Sequence, residues 1–469
     1  PCASPRSRPG RAPPRAPRRC RDRPPAPVPA RALAPPPAPA WPKPARGSLW
    51  QNLSHIEARV TDDIAYQPII AGGYVLFGSS ANDHLYCLDA ASGEVVWSFV
   101  ASAPIRYAPE VADGKVYFGS DDGLVRCLSL DDGALVWDYR PGASGDMIPG
   151  NGRLISPWPI RTGVLVDAGV VYACAGLFPS QGTYAVALGA DDGGLVWRTN
   201  LGEHSPQGYL LASSDTLFVP TGRSNPFAID KKTGAVGRSF GTPGGTYAVL
   251  ADDALIAGPG NNNTLQSIAL DSGQNLMSYQ GKHLAVGPTV TYFVTGEKLF
   301  ALDRLRYTAL TQQAAALRAE LKPLGDAAEH RERIVELQQQ LAQTQRQVEQ
   351  CVLWETPTED HASLIAAGEH VIVGGDGRVT CYRAADGRKA WQQRIDGAAM
   401  GLAASDGVLV ATTDGGAVYL FDAGRPVGGA GAIARPPLVN RAPSVRVEAD
   451  VDQALSLLPN PRGFAVVLG

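Results

Sequence analysis

Two histidines in this chain directly follow carboxylates: His204 after Glu203, and His361 after Asp360. A carboxylate–imidazole pair can act as an acid or as a pH-sensitive contact, because imidazole titrates near neutrality. A hydrolase would also need a nucleophile within reach of the base. None of the seven histidines falls in a metal-binding spacing such as His-Glu-x-x-His, and loop polarity accounts for both pairs. A second set of residues suits binding. The Gly/Pro-rich stretch from Pro141 to Arg161 carries Asn151, Arg153, Trp158 and Arg161. Arginine pairs with carboxylate or phosphate, and tryptophan supplies flat contact area. These four residues are the candidate interaction surface. Asp146 and the run Asn261-Asn262-Asn263 have oxygen donors suited to calcium, though a solvated turn explains them more simply. Catalytic and metal residues are therefore assigned to none.

The elements that must position these residues come from a repeated pattern. Residues 74–97 read YVLFGSSANDHLYCLDAASGEVVW, residues 116–137 VYFGSDDGLVRCLSLDDGALVW, and residues 371–391 VIVGGDGRVTCYRAADGRKAW. Each copy has two apolar strands around a Gly/Asp/Ser turn, then a second turn and a strand ending in Trp. Such a meander is too small to bury its own face, so neighbouring copies must stack. The expected fold is all-β: a β-propeller of four-stranded antiparallel blades, eight preferred and seven the alternative.

The blade-closing aromatics are expected at Trp97, Trp137, Trp197, Phe240, Tyr279, Trp354 and Trp391. Trp50, in the segment Gly47–Trp50, would supply the eighth and close the circle between the chain ends. Residues 304–351 interrupt the sixth repeat. Leu310, Ala314, Leu317, Leu321 and Leu324, then Ile334, Leu337, Leu341 and Val348, follow heptad-like steps on either side of Pro323-Leu324-Gly325-Asp326. That predicts an antiparallel helical hairpin inserted in a blade. Cys87, Cys127 and Cys381 share one repeat slot among apolar neighbours, which suggests small buried thiols.

Residues 1–45 form a Pro/Arg-rich head expected to be disordered; residues 46–424 form the propeller. Residues 425–469 read as a linker and the possible start of a further domain, because the terminal apolar strand ending in Gly is also how a nucleotide-binding domain begins. Ten Arg and one Lys lie in residues 1–46 against the single acid Asp22; of 42 basic and 45 acidic residues, the rest keeps 31 and 44, a net of -13. That acidic body lacks the basic stripe of a nucleic-acid binder. No run of 18 apolar residues marks a membrane span, and the head has no signal-peptide h-region. The expected location is cytoplasmic, or periplasmic if the true N-terminus is missing, since the chain begins at Pro1 without Met.

The segments Tyr86-Cys87-Leu88-Asp89 through Gly93 and Trp97, Asp131-Asp132-Gly133 with Trp137, Asp191-Asp192-Gly193 with Trp197, and Asp386-Gly387 with Trp391 resemble the pyrroloquinoline quinone (PQQ)-like propeller repeat family. That family includes quinoprotein alcohol dehydrogenases and the outer-membrane barrel-assembly lipoprotein propeller. The resemblance implies a propeller with either a quinone–calcium site or a protein-binding role. Quinoprotein members commonly carry a vicinal Cys-Cys pair and a Glu/Asn/Asp calcium set; this sequence has no Cys-Cys pair and no calcium set that maps onto a blade. The ring is also similar to the propeller part of larger bacterial proteins in which a methyltransferase domain follows. The preferred reading is a non-catalytic scaffold without cofactor, binding a protein through a propeller face or the hairpin. A PQQ–calcium dehydrogenase and the propeller part of a truncated methyltransferase protein are the alternatives.

Overall fold

The computed structural model describes the backbone of residues 30–33 and residues 65–422, with breaks at 151–152, 223, 243–246, 252–253, 259–263 and 326–329. Six consecutive antiparallel sheets of four strands each follow the chain: residues 68–100, 110–139, 165–200, 211–239, 247–280, and 283–303 with 352–357. Within each, strand order equals chain order. This is the blade topology of a β-propeller. The seventh sheet has six strands, because His370–Arg383 and Lys389–Ser405 are continuous strands of 14 and 17 residues. Among the described residues the blade count is therefore seven where eight were preferred: the last two sequence repeats share one sheet.

The chain forms two compact units. Among the described residues, the larger holds sheets one to five and Met400–Leu420; the smaller holds Gly281–Ala399 with Phe421 and Asp422. In the larger unit residues 408–420 pack on the first sheet. Val410, Val418 and Leu420 bury Tyr66, Val75, Phe77, Tyr86 and Leu88. Thr412 Oγ1 donates to the Tyr66 carbonyl at 2.6 Å, across 346 positions of sequence.

Sequence chemistry explains the blade unit. The first hairpin of several sheets turns on a pair of residues with positive φ, such as Asp113-Gly114 (49° and 70°) and Ala168-Gly169 (50° and 76°), the geometry that matches strand twist. Before the closing strand's aromatic, the register shifts by one residue at the same place in successive sheets: Cys87/Leu88, Cys127/Leu128, Ala187/Leu188, Ser267/Ile268, Ala301/Leu302 and Cys381/Tyr382. A bulge re-aims the next side chain. In sheets one, two, three and six it turns an indole onto the following sheet.

That indole makes the same contact four times. Trp97 Nε1 donates to the Leu130 carbonyl (2.8 Å), Trp137 to Ala190 (3.0 Å), Trp197 to Lys231 (2.8 Å) and Trp354 to Ala384 (2.9 Å). Each acceptor lies three residues before a turn glycine: Gly133, Gly193, Gly234 and Gly387. A Cβ on any of these would fall 2.4–2.8 Å from the indole. The glycine's missing side chain is the seat of the ring. Opposite the indoles across the strand pair stand Cys87, Cys127, Ala187 and Ala301, all small. The recurrent cysteine is thus a volume requirement. Cys87, Cys127, Cys174, Cys351 and Cys381 are buried free thiols, and burial pushes Cys87 and Cys381 up to about 12 and Cys127 up to about 11.

Two expected aromatics are misplaced by two residues. The slot falls four residues after the turn glycine. After Gly234 and Gly273 that gives Arg238 and Met277, and Met277 pairs with Ser267 as Trp97 does with Cys87. Phe240 and Tyr279 are buried beyond the slot. Trp391 occupies the slot opposite Cys381 and packs on Phe421 at 6.1 Å. Trp50 and the segment 47–50 lie outside the described residues. The head, expected to be disordered, contributes a strand, Ala30–Leu33, next to Val418–Asp422 in the strand order.

The inserted hairpin is present as α1 (Arg304–Leu321) and α2 (Arg331–Glu349). Asp303 caps α1 by accepting the Arg306 N–H at 3.1 Å. The Asp303 N–H to Cys351 carbonyl bond (2.8 Å) closes the base. Arg304 is buried and donates to the Pro288 carbonyl at 2.9 Å, tying the base to the sheet. Of the predicted apolar stripes, Ala314, Leu317 and Leu337 are fully buried, joined by Thr344.

Gly193→Ala is expected to destabilise the protein by clearly more than Gly169→Ala in urea denaturation. Both glycines have positive φ (69° and 76°), which alone costs about 1–2 kcal/mol for an L-residue, but only Gly193 carries an indole where the methyl would go. Equal losses would show that the seat contributes nothing.

Candidate functional site

The turn Ser120-Asp121-Asp122-Gly123 joins the second and third strands of sheet two and organises one rim of the larger unit. Asp121 is fully buried. It accepts from Arg106 Nε at 2.7 Å and forms an ion pair with Arg161 at 3.2 Å. Asp122 is held by Arg126 Nη2 (2.6 Å), Ser120 Oγ (2.6 Å) and the N–H groups of Leu124 (3.1 Å) and Ser102 (3.2 Å). Arg140 Nη1 donates to the Asp122 carbonyl at 2.6 Å. Charges this deeply buried persist only when paired and hydrogen-bonded.

The network fixes the long segment from 141 to 161. Ser156 N–H donates to the Asp121 carbonyl (2.7 Å) and Ile160 N–H to the Ser120 carbonyl (3.1 Å). Read from sequence as a loop, this segment contains a short hairpin, Ile148–Gly150 against Arg153–Ile155. Arg153 reaches back to sheet one, donating to the Ser80 and Ala81 carbonyls (3.1 and 3.0 Å) and pairing with Asp83. Burial raises the pKa of Asp83, and Arg153 opposes the rise.

Three of the four proposed surface residues thus belong to one rim; Asn151 lies outside the described residues. Arg153 and Arg161 spend their guanidinium groups on internal acids, so they position the surface and do not present charge to a partner. Trp158 is partly buried, with Nε1 donating to the Gln181 carbonyl at 2.9 Å. The turn it touches carries Phe178, 54% exposed; Tyr209, 36% exposed, packs on Gly163, two residues past Arg161. Tyr209 accepts the Ala108 N–H at 3.0 Å and meets Tyr107 edge-on at 5.2 Å. Sequence reasoning missed Asp121, Arg106, Phe178 and Tyr209. The only signal was an isolated aromatic in each of two connections.

Neither carboxylate–histidine pair forms an acid–base unit. His204 stacks on Phe227 at 4.1 Å. Asp360 accepts from Arg378 Nε (2.6 Å) and Thr380 Oγ1 (2.7 Å), while His361 Nδ1 lies 2.8 Å from the Glu359 carbonyl. His283 is pushed down to about 4 by burial and by the charges of His361 and Lys282. Among the described residues no cluster of three His, Cys, Asp or Glu could hold a metal ion. The Asn261–Asn263 run lies outside the described residues. Asp146 is an exposed turn residue bonded to Ser144 Oγ at 2.6 Å. No described helix is long and apolar enough to cross a membrane.

Three stretches, 43–157, 181–353 and 351–426, match the family described as outer membrane protein assembly factor BamB. The chain belongs to that family. It is 25% identical over 256 residues to the BamB of Moranella endobia, covering 52% of this chain and 60% of that protein. Over 152 residues it is 29% identical to the BamB of Yersinia pestis, covering 30% and 35%. It is also 26% identical over 267 residues to the dehydrogenase subunit of a quinone alcohol dehydrogenase from Gluconobacter oxydans, covering 52% of this chain and 33% of that one. The chain thus spans between a third and three fifths of the length of these curated relatives. Among solved structures, the quinohemoprotein alcohol dehydrogenase of Comamonas testosteroni superposes with a TM-score of 0.54 at 13% identity, covering 78% and 75%. The designed protein Ika8 does so with 0.54 at 12%, covering 77% and 96%. At these identities the structures show the fold alone. The chain is a BamB-like propeller with a helical insertion. Membership overturns the cytoplasmic placement expected from the sequence, because the family is one of outer-membrane assembly.

Asp121→Ala is expected to cost about 3–5 kcal/mol in denaturant unfolding, the cost of leaving buried charge unpaired; a loss below about 1 kcal/mol would show that the network is not holding the rim. A second expectation concerns pH. The folded chain resists protonating His283 until about pH 4, whereas an unfolded imidazole takes its proton near 6.5. The stability that His283 contributes is therefore whole above pH 6.5 and lost as pH falls towards 4. Unfolding free energies of wild type and His283→Gln, compared at pH 7, 5.5 and 4.5, should show a shallower fall in the variant.

Proposed function

We propose that this chain is a non-catalytic docking module of outer-membrane assembly, working on the periplasmic side and engaging a protein partner through the rim that carries Trp158, Phe178 and Tyr209. The observation that carries this reading is Phe178, a large apolar side chain more than half exposed on a turn next to a loop that buried ion pairs hold in place. A rigid scaffold presenting exposed aromatics matches how interface anchors are built, since little side-chain entropy is lost on binding. The name borne by the Moranella and Yersinia relatives supports the assembly context. The hairpin offers a second, polar surface for helix pairing. The quinone-dehydrogenase reading draws only on the Gluconobacter similarity, and the methyltransferase reading rests on terminal residues outside those described.

A photo-crosslinking amino acid at Phe178, in the chain expressed in a Gram-negative envelope, should capture an outer-membrane assembly protein identified by mass spectrometry; the same probe at Val236, on an outer strand, should not. The double variant Trp158→Ala, Phe178→Ala should weaken that partner's binding at least tenfold while leaving the unfolding transition near its wild-type position. Equal capture at both sites would refute the rim.

A further inference from the structure

The contact between sheets four and five departs from the rule of the other seams. Where Trp97, Trp137, Trp197 and Trp354 stand, sheet four has Arg238. It reaches sheet five, donating Nη1 to the Asp271 carbonyl at 2.7 Å, but does so in the open, with its guanidinium 5.0 Å over the Phe240 ring. The glycine that should seat an indole, Gly273, keeps the same positive φ of 72°, yet nothing lies within 4 Å of where its Cβ would be. The closing strand Val236–Ser239 is exposed along its whole length, whereas the equivalent strands of sheets one to three bury their Trp. Among the described residues the fully buried core of this seam is Phe218 and Phe240 against Leu255 and Ile268, with Leu211, Ala228, Ala248, Leu250 and Leu270 only partly buried around them.

The neighbouring seams are cross-tied as well as seated. Sheets two and three share the Lys115–Asp191 ion pair and the Tyr117 hydroxyl bond to the Ala190 carbonyl (3.1 Å). Sheets three and four share Lys231–Asp167 and the Thr199 Oγ1 bond to the Gly234 carbonyl (2.7 Å). A buried indole removes far more apolar surface from water than a solvated arginine can, so the seams are unequal in strength.

We propose that the seam between sheets four and five is a built-in opening point: it parts locally while sheets one to four stay packed, transiently baring the apolar faces of Phe218, Phe240, Leu255 and Ile268. Local openings of this kind sit at the low end of a protein's stability range and are where conformational response is drawn from. The vacant seat at Gly273 lets a substitution test the device, because Arg238→Trp would place an indole in the slot that carries one in sheets one, two, three and six.

Thiol labelling with a small maleimide under native conditions reads each seam, using the buried Cys87 and Cys174 as internal references for seams one–two and three–four. In Leu255→Cys, the new thiol should label at least tenfold faster than either reference, and adding Arg238→Trp should slow it at least tenfold. Labelling of the new thiol at the reference rate, or a rate indifferent to Arg238→Trp, would overturn the proposal. Hydrogen exchange of the unaltered chain tests it without any substitution. Amides of Ala254–Gly258 should exchange at least tenfold faster than those of Val170–Ala175, and equal protection would refute it even if either variant fails to fold.

Discussion

An indole lying on a glycine is the contact on which the larger architecture depends. A four-stranded meander buries too little to persist alone, and each needs a neighbour fixed at one distance and one angle. The tryptophan supplies area, its Nε1 proton supplies direction, and the missing Cβ of the turn glycine supplies the close approach. The neighbouring choices follow from it: a bulge to aim the ring, a small residue across the strand pair to make room, and a positive-φ turn whose free carbonyl accepts the proton. Remove any one and the other three lose their purpose. That interdependence explains why the motif recurs as a block and not as scattered residues.

The polar rim solves a different problem with the opposite chemistry. A long Gly/Pro-rich segment would lose considerable entropy on ordering, and apolar packing alone would not define its conformation. Arg106, Arg126, Arg140, Arg153 and Arg161, fastened to Asp83 and to the Asp121-Asp122 turn, impose that conformation through directional bonds. The charged residues face inward while Phe178 stands more than half exposed, an inversion of the usual arrangement that suits a surface meant to be covered.

Much of this was legible in the sequence because the repeat is periodic and physically constrained. Turn glycine and closing tryptophan stand four residues apart, and applying that spacing strictly would have placed Arg238 and Met277 in the slot; searching for the nearest aromatic led instead to Phe240 and Tyr279. The hairpin was readable from its heptad steps, and the cysteine slot from its apolar neighbours. The rim was only half readable. Arg153, Trp158 and Arg161 were found by composition, but whether an arginine faces a partner or an internal carboxylate depends on residues such as Asp83 and Asp121 that sit in other sheets. The number of sheets was hidden for a related reason: repeats mark units of sequence, and two units merged where their strands ran on without a break. The cytoplasmic expectation was overturned by kinship to the BamB family and not by any residue of the blades.

The bond from Thr412 to the Tyr66 carbonyl bears on how the molecule is made. A chain that emerges N-terminus first must leave the apolar face of Tyr66, Val75 and Phe77 uncovered until Val410, Val418 and Leu420 arrive. During that interval the first sheet is an adhesive surface, and wrong partners, including a second nascent copy, compete for it. Folding of the larger unit is therefore a race between the arrival of residues 410–420 and capture of the first sheet by a wrong partner, and a holding chaperone matters most at that sheet.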